Sequence, residues 1–498
     1  MRLSELLTGT GLSFTGADQE IKGLDYDSRR IKPGYLFIAM RGEATDGNRY
    51  IDSALKNGAV AVLTDSASEL VRAGTSWAVT QHGRRTLAQI SANLCGNPAR
   101  ELKISGITGT NGKTTTTFLL ESILRYSGKQ SVLIGTIEYH VGNRVLPSPH
   151  TTPESLELNQ IFAQALHYGA SECVMEVSSH ALEQGRVWGI PFEVAIFTNL
   201  TRDHLDYHKD METYFAAKRL LFEGAGARPP RFAVINSDDE YGRSLLKTSH
   251  SASERAFSYG IEAGDFRATE IELRSSGSSF LLKSPLGETR INSRLIGKVN
   301  VYNLLAAAVA ASLRGCSFDQ ISEAVSRFNQ VPGRFERVDA GQPFTVVVDY
   351  AHTDDALRNL TSIARDFAGD GRVITVFGCG GDRDKTKRPL MGEAAARGSD
   401  FVVLTSDNPR SEDPMKIIED VMPGLKRVNG TRFQVEPERK KAIALALGQA
   451  RSGDMVLIAG KGHEKYQILR EGTFPFDDVQ VAREALKQMG YPKEERQQ

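Results

Sequence analysis

The chain has 498 residues, 40% hydrophobic and 24% charged, the composition of ordinary globular domains, and its length predicts roughly three of them. Lys plus Arg and Asp plus Glu both number 61, and the resulting zero net charge argues against a role driven by bulk charge on nucleic acid or a membrane surface. No apolar run approaches the ~18 residues of a membrane span, and "MRLSELLTGTGLSF" lacks a signal peptide's apolar core. Cys95, Cys173, Cys316 and Cys379 are scattered without a C-x-x-C pair, so reduced thiols in a cytoplasmic enzyme are expected.

In chain order, "YLFIAM" (35–40), "GAVAVLTD" (58–65) and "SWAVT" (76–80) read as strands among helical stretches such as "YIDSALKNG" (50–58). They predict a small α/β domain, with "GNPARELK" (96–103) as its linker. "KISGIT" (103–108), "SVLIGT" (131–136), "ECVMEVSS" (172–179), "EVAIFTNL" (193–200) and "RFAVIN" (231–236) are further strands. Helical patterns lie between several of them, which predicts a mostly parallel sheet, closed by an Ala/Leu helix at 303–313.

"VPGRFERV" (331–338) marks the next boundary. The last third has buried-strand runs at 344–351, 372–381, 400–409 and 454–464, each ending in polar or glycine residues. Ligands of open α/β sheets sit beyond the carboxyl ends of strands. "YAH", "GGDRDK", "SDNPR" and "GKGHE" should therefore converge on one crevice. The tail "PKEERQQ" is expected to fray.

"SGITGTNGKTTTTFLL" (105–120) places a phosphate loop between a strand and a helix. Gly109 and Gly112 free the backbone to turn its N–H groups inward, and the helix N-terminus adds partial positive charge. Lys113 would reach the terminal phosphates and the Thr114 hydroxyl would meet magnesium. Ile107 stands where the commonest such loop has its first glycine. Glu176 in "MEVSSHAL", and Asn199, Asp203 and His204 in "TNLTRDHLDYH", supply a carboxylate and an imidazole near the nucleotide, which suggests magnesium ligation. A metallohydrolase is disfavoured because no H-x-H-x-D-H run occurs.

"GTNGKTT", "HTTPESLEL", "MEVSSHAL", "TNLTRDHLDYH", "YFAAKRLLF", "DYAH", "GCGGDRDKTKRPLMG", "SDNPRSEDP" and "AGKGHEKY" follow one another from residue 109 to 466. In these the chain resembles the Mur ligase family of ATP-dependent peptide-bond-forming enzymes, whose loop has the same Gly-Thr-Asn-Gly-Lys-Thr form. The resemblance implies an α/β fold in three domains: 1–98 small and UDP-binding, 99–332 P-loop ATPase-like, 333–498 Rossmann-like and amino-acid-binding. It implies that a substrate carboxylate attacks the ATP γ-phosphate and that an amine then displaces phosphate from the acyl phosphate. Lys113, Glu176, His204 and Lys218 would be catalytic. Thr114, Glu176, His204 and a carbamylated Lys218 would hold Mg2+.

ATP would meet Gly109, Thr110, Asn111, Gly112, Lys113, Thr114 and Thr115, then Asn303, Arg334, Asp349, Tyr350 and His352, with a hinge near 331–338. The UDP-linked muramoyl dipeptide would meet Ser28, with Arg29 beside it, and Thr151, Thr152, Ser178, Gln184 and Arg186. Asp-Asn-Pro-Arg accompanies diaminopimelate in this family. Arg383, Asp407, Asn408, Arg410, Gly460 and Glu464 would bind that amino acid, with Arg410 gripping the carboxylate that lysine lacks. A monomer acting on small molecules, without nucleic acid or membrane, is expected.

Two positions depart from the family pattern. Asn48 stands for a frequent histidine and Asp354 for the usual proline after "DYAH". Competing readings are a lysine-adding relative, a folate-polyglutamylating ligase, a non-catalytic nucleotide scaffold and a P-loop GTPase. The last lacks an Asn-Lys-x-Asp run.

Overall fold

The computed structural model describes residues 1–42, 45–66, 74–252, 255–274 and 276–491. The tail expected to fray, 492–498, lies outside them. Three α/β sheets follow one another along the chain, as the strand–helix alternation requires.

In the first sheet the spatial order is Phe14–Thr15, Ser76–Val79, Ala59–Thr64, Tyr35–Ala39 and Gly23–Asp25. All neighbours are parallel except the first pair. The helix Gly83–Leu94 packs its Leu87 and Ile90 into this core. The expected linker at 96–103 is a 3-10 turn, Pro98–Arg100, entered through Asn97 at φ 58.

The central sheet has eleven strands. Its middle is parallel: Arg255–Gly260, Phe232–Asn236, Phe192–Phe197, Lys103–Thr108, Glu172–Glu176 and Ser131–Ile134. Sequence reading found the last five of these and missed the antiparallel edges. Those are Glu138–Val141 with Arg144–Pro147 on one side, and Phe266–Arg274, Gly277–Ser284 and Gly287–Ser293 on the other. Buried parallel strands are continuous apolar runs, whereas these ribbons expose alternate residues and carry a weaker signal.

The Ala/Leu helix runs from Lys298 to Leu313, five residues earlier than expected, and does not close the region. A second helix, Phe318–Arg327, follows behind a capping box of Ser317 and Gln320. The small side chains of the first helix lie against the helix Lys113–Tyr126, where Ala306–Ala311 are buried.

The third sheet has the order Glu336–Val338, Thr345–Asp349, Met455–Ala459, Val373–Phe377, Phe401–Leu404 and Arg432–Val435, parallel after the first pair. The segment expected as a bare boundary, 331–338, thus supplies an edge strand to this sheet. A separate hairpin, Tyr466–Leu469 with Gly472–Pro475, lies beyond the strand ends.

Asp354 is the first residue of the helix Asp354–Ala368, and Thr353 caps that helix through the Ala356 N–H. The first helical position is where proline is favoured, and where a carboxylate meets the positive end of the helix dipole. Aspartate is therefore compatible with this helix start.

Candidate functional site

The strand Lys103–Thr108 lies at the middle of the central sheet and releases the phosphate loop at its carboxyl end. Ile107 belongs to that strand and is fully buried, so it never enters the loop. Gly109 (φ 146) and Gly112 (φ 87) adopt backbone that side chains disfavour, and a Cβ would overlap Thr198 Oγ1 at the first and Asn303 Oδ1 at the second. The loop is pinned by the neighbouring strand end. Thr198 Oγ1 donates to the Asn111 carbonyl at 2.6 Å, and Asn199 Oδ1 accepts the Asn111 N–H at 2.9 Å. No side chain caps the helix Lys113–Tyr126, so its first N–H groups are left for an anion. Lys113 Nζ folds back onto the carbonyls of Gly109 (2.9 Å) and Thr110 (2.8 Å), and burial lowers its pKa against the pull of Glu176.

A cleft of about 530 Å³ opens in front of this loop, walled by the central and third sheets. Thr110–Thr115, Asn303, Arg334, Asp349, Tyr350 and His352 line it, while Gly109 shapes the loop from behind. Arg334 reaches across: its guanidinium stacks 4.6 Å from the Tyr350 ring centre and donates to Thr114 Oγ1 at 3.2 Å. Asn111 Nδ2 donates to Asp355 Oδ2 at 3.1 Å. Asp349 accepts from the backbone of Phe335 and Ala351, and burial raises its pKa.

Glu176 is completely buried at the back of this cleft. It accepts from Thr136 N–H (2.7 Å), Thr136 Oγ1 (3.0 Å) and Thr114 Oγ1 (3.1 Å), and has no ion-pair partner among the described residues. Lys218 is 1% exposed. Its Nζ donates to the Gly109 carbonyl at 2.8 Å and lies 4.5 Å from the Tyr214 ring centre. Burial, with Lys113 nearby, pushes its pKa far down, which disfavours the ammonium form. His204, at φ 53, lies 3.4 Å from Asp203. Burial pulls its imidazole down to about 4 against the opposing charge of Asp203.

Among the described residues no three His, Cys, Asp or Glu side chains cluster to hold a metal unaided. The donors present are a carboxylate without a counter-cation, a hydroxyl and an imidazole, with the Lys218 amine in the same cleft. The carboxylate and the hydroxyl are oxygen donors of the kind Mg2+ takes, with phosphate oxygens to complete the shell.

A second cleft of about 520 Å³ gathers Arg383, Asp407, Asn408, Arg410, Gly460 and Glu464. The four strand ends converge as expected. The two clefts share Asp203, His204, Tyr350, His352 and Thr353 as a common wall. Arg410, at φ 52, donates from Nη1 to the Gly381 carbonyl at 2.8 Å, and its N–H donates to Ile468 O at 3.1 Å. Burial, then the charge of Arg383, lowers its pKa. Asn408 Nδ2 donates to Glu464 Oε2 at 2.8 Å. Sequence reading passed over Lys461 and the hairpin 466–475, which both hold this loop. The signal available was a lysine and a glutamate three apart in "GKGHE".

Thr151 and Ser178 line the first cleft, whereas Thr152, Gln184 and Arg186 line neither. These three are joined to one another. Arg186 donates to the Thr152 carbonyl (3.0 Å) and to Gln184 Oε1 (2.8 Å), and Thr152 Oγ1 holds the Ser178 N–H at 3.1 Å. Ser28 is buried outside both clefts, and its carbonyl accepts from Asn57. Arg29 is exposed and paired with Asp27. Asn48 is tied to Asp46, Asp65 and Thr64, so its amide serves the loop that bears it. The first sheet's domain docks on the central one through Tyr26–Glu157 (2.9 Å) and Arg85 stacked on Trp188 (4.1 Å).

Three family profiles match the chain. They are the Mur ligase family catalytic domain at residues 20–94, the Mur ligase middle domain at 107–311, and the Mur ligase glutamate ligase domain at 333–462. A UDP-N-acetylmuramoyl-L-alanyl-D-glutamate--2,6-diaminopimelate ligase of Solibacter usitatus is 52% identical over 496 residues, 99% of both chains. One of Geobacillus thermodenitrificans is 46% identical over 478 residues, 95% of this chain and 96% of that one. A solved structure of an enzyme with the same name superposes with TM-score 0.68 at 35% identity, covering 94% and 95% of the chains. A MurF ligase from Thermotoga maritima in complex with ADP shares the fold at TM-score 0.64 and 18% identity, over 95% and 99%. With its α/β fold, its phosphate loop and relatives that match it from end to end, this chain belongs to the Mur ligase family.

Proposed function

We propose that the chain joins meso-2,6-diaminopimelate to UDP-N-acetylmuramoyl-L-alanyl-D-glutamate at the expense of ATP; its relatives' names carry the UDP-linked dipeptide and 2,6-diaminopimelate. In this reading residues 1–98 take the UDP end, 99–332 take ATP and 333–498 take the amino acid. The enzyme is a cytoplasmic monomer, and the segment 331–338 is its hinge. No described helix is long and apolar enough to cross a membrane.

The reaction places three anions side by side: the ATP phosphates, the peptide carboxylate and the amino acid's carboxylates. Electrostatic neutralisation and alignment are therefore the main demands. The uncapped helix N-terminus and Lys113, released from its own loop carbonyls, hold the terminal phosphates. The peptide carboxylate, oriented by Thr151 and Ser178 with Thr152, Gln184 and Arg186 behind them, attacks the γ-phosphorus. ADP leaves and an acyl phosphate remains. The amine then adds to that carbonyl across the shared wall of His204, Tyr350 and His352, and phosphate departs as the amide forms.

Thr114, Glu176, His204 and Lys218 would hold Mg2+, which supplies charge neutralisation to the phosphoryl group. Burial favours the neutral form of the Lys218 amine, and that form attacks carbon dioxide through its lone pair, loses a proton and becomes a carbamate. That converts a cation into an anionic ligand.

The observation that carries the substrate assignment is the presence of two guanidiniums, Arg383 and Arg410, in the second cleft without any carboxylate paired to them among the described residues. Lysine has no distal carboxylate to satisfy them. The test is phosphate release with ATP, the UDP-linked dipeptide and a panel of diamino acids. No release with meso-diaminopimelate would overturn the assignment.

A further inference from the structure

Two lysines are buried among the described residues, Lys218 and Lys461. The reaction gives Lys218 a task and leaves Lys461 without one. Lys461 has no exposed side-chain surface, yet it sits at the wall of the second cleft among residues that line it. The local backbone explains why. Gly460 (φ 119) and Gly462 (φ 52) flank it, and the Glu464 N–H closes a turn onto the Lys461 carbonyl at 3.0 Å. That turn points Lys461 and Glu464 the same way.

Lys461 Nζ donates to Asn408 Oδ1 and to Glu464 Oε2, both at 3.0 Å, and lies 3.8 Å from Asp407 Oδ1. Asn408 Oδ1 also accepts the Ile468 N–H at 2.9 Å, so its amide has one orientation. Glu464 Oε2 is taken by Lys461 and by Asn408 Nδ2, which fixes the carboxylate and the amide against each other at the wall of the cleft. The charges follow the same logic. Around this subsite Lys461 stands beside the carboxylates of Asp407 and Glu464, with Arg383 and Arg410 in the same cleft. The distal end of diaminopimelate is a neutral zwitterion, whereas that of lysine is a bare cation.

We propose that Lys461 is a positioning and specificity-determining residue: it orients Asn408 and Glu464, and its charge offsets Asp407 and Glu464, so that these carboxylates accept a zwitterionic end and do not by themselves hold a purely cationic one. This rests on the assignment of diaminopimelate above. A buried lysine serving only the fold would weaken stability and every substrate alike, whereas this one acts on the ratio between two amino acids.

The experiment compares wild type, Lys461→Gln and Lys461→Met in steady-state assays with meso-diaminopimelate and L-lysine, each with KM for ATP and for the UDP-linked dipeptide. Glutamine keeps a donor and drops the charge, so the preference for diaminopimelate over lysine in kcat/KM should fall about ten-fold. Methionine also removes the donor, so KM for diaminopimelate should rise by a further ~ten-fold, with KM for ATP within about two-fold of wild type. A Lys461→Gln enzyme with the wild-type preference overturns the proposal. So does a rise in all three KM values together, or failure of both variants to fold, since each makes Lys461 structural only. A wild type that does not use diaminopimelate overturns the assignment of substrate instead.

Discussion

Arg410 and Arg383 stand over the same glycine. A Cβ on Gly380 would lie 3.0 Å from Arg410 Nη1 and 3.8 Å from Arg383 Cγ. The charge of Arg383 acts on Arg410 across this glycine, and neither guanidinium meets a carboxylate among the described residues. Such an arrangement costs free energy until an anion enters, which makes the anion a condition of tight binding. Removing Arg410 removes a charge-assisted bond worth about 1.5–3 kcal/mol. Arg410→Ala should therefore lower kcat/KM for meso-diaminopimelate by roughly 100-fold while changing that for L-lysine by less than about five-fold. Equal losses with both amino acids, measured as phosphate release, would refute Arg410 as selector.

Much of this site was legible before the fold was seen, for physical reasons that differ by residue. Gly109 and Gly112 turn the backbone and Lys113 and Thr114 open the helix that follows, so their spacing alone announces them. Arg383, Asp407, Asn408, Arg410, Gly460 and Glu464 come from three separate strand ends, and the strand runs that precede them revealed the convergence. Lys218 was different. On a helix with alternating apolar residues nothing marks a lysine as buried, and only the surrounding motif singled it out. Lys461 was missed because its partners, Asn408 and Glu464, are gathered by tertiary structure. The antiparallel edge strands were missed because their exposed faces dilute the apolar signal.

Lys218 offers a prediction in which burial and reactivity are read together. Among the described residues its Nζ has one hydrogen-bond acceptor, the Gly109 carbonyl, inside the phosphate loop, and burial disfavours the ammonium form there. With labelled bicarbonate the wild-type protein should give a carbamate carbon resonance that Lys218→Ala lacks. The alanine variant should lose activity by about 100-fold or more and should not be rescued by added bicarbonate, since the group that carries the carbamate is gone. A fully active Lys218→Ala enzyme would sink the assignment.

Behind the second cleft, Arg439 and Asp478 form a bidentate pair at 2.8 and 2.7 Å with neither side chain exposed. The same guanidinium donates to the Ala459 carbonyl at 3.0 Å, at the end of the strand that leads into Gly460. A buried pair is costly to break from one side, so Arg439→Leu should destabilise the third domain by about 3–5 kcal/mol in urea unfolding. Removing both charges should recover part of that loss, leaving the cost of the unpaired Ala459 carbonyl. A double variant, Arg439→Leu with Asp478→Leu, no more stable than the single one would show that the pair itself contributes little.

His140 yields a pH dependence whose sign follows from its partners. It lies on the strand Glu138–Val141, next to the sheet's edge, 2.8 Å from Glu138 and 3.5 Å from Glu121 of the phosphate-loop helix, with Phe118 edge-on to its ring. Burial alone would push the imidazole down, but the two carboxylates outweigh it and hold the pKa above the ordinary 6.5. A group raised on folding stabilises the protein fully below its unfolded pKa and loses that contribution as pH rises through the folded value. Arg125 shares Glu121 at 3.3 Å and so dilutes the effect, which should amount to about 0.5–1 kcal/mol. The stability gap between wild type and His140→Gln should accordingly be largest near pH 5.5 and shrink steadily toward pH 9. A gap that is flat with pH, or that widens as pH rises, would mean that His140 is neutral in the fold and that Glu121 and Glu138 hold it by hydrogen bonds alone.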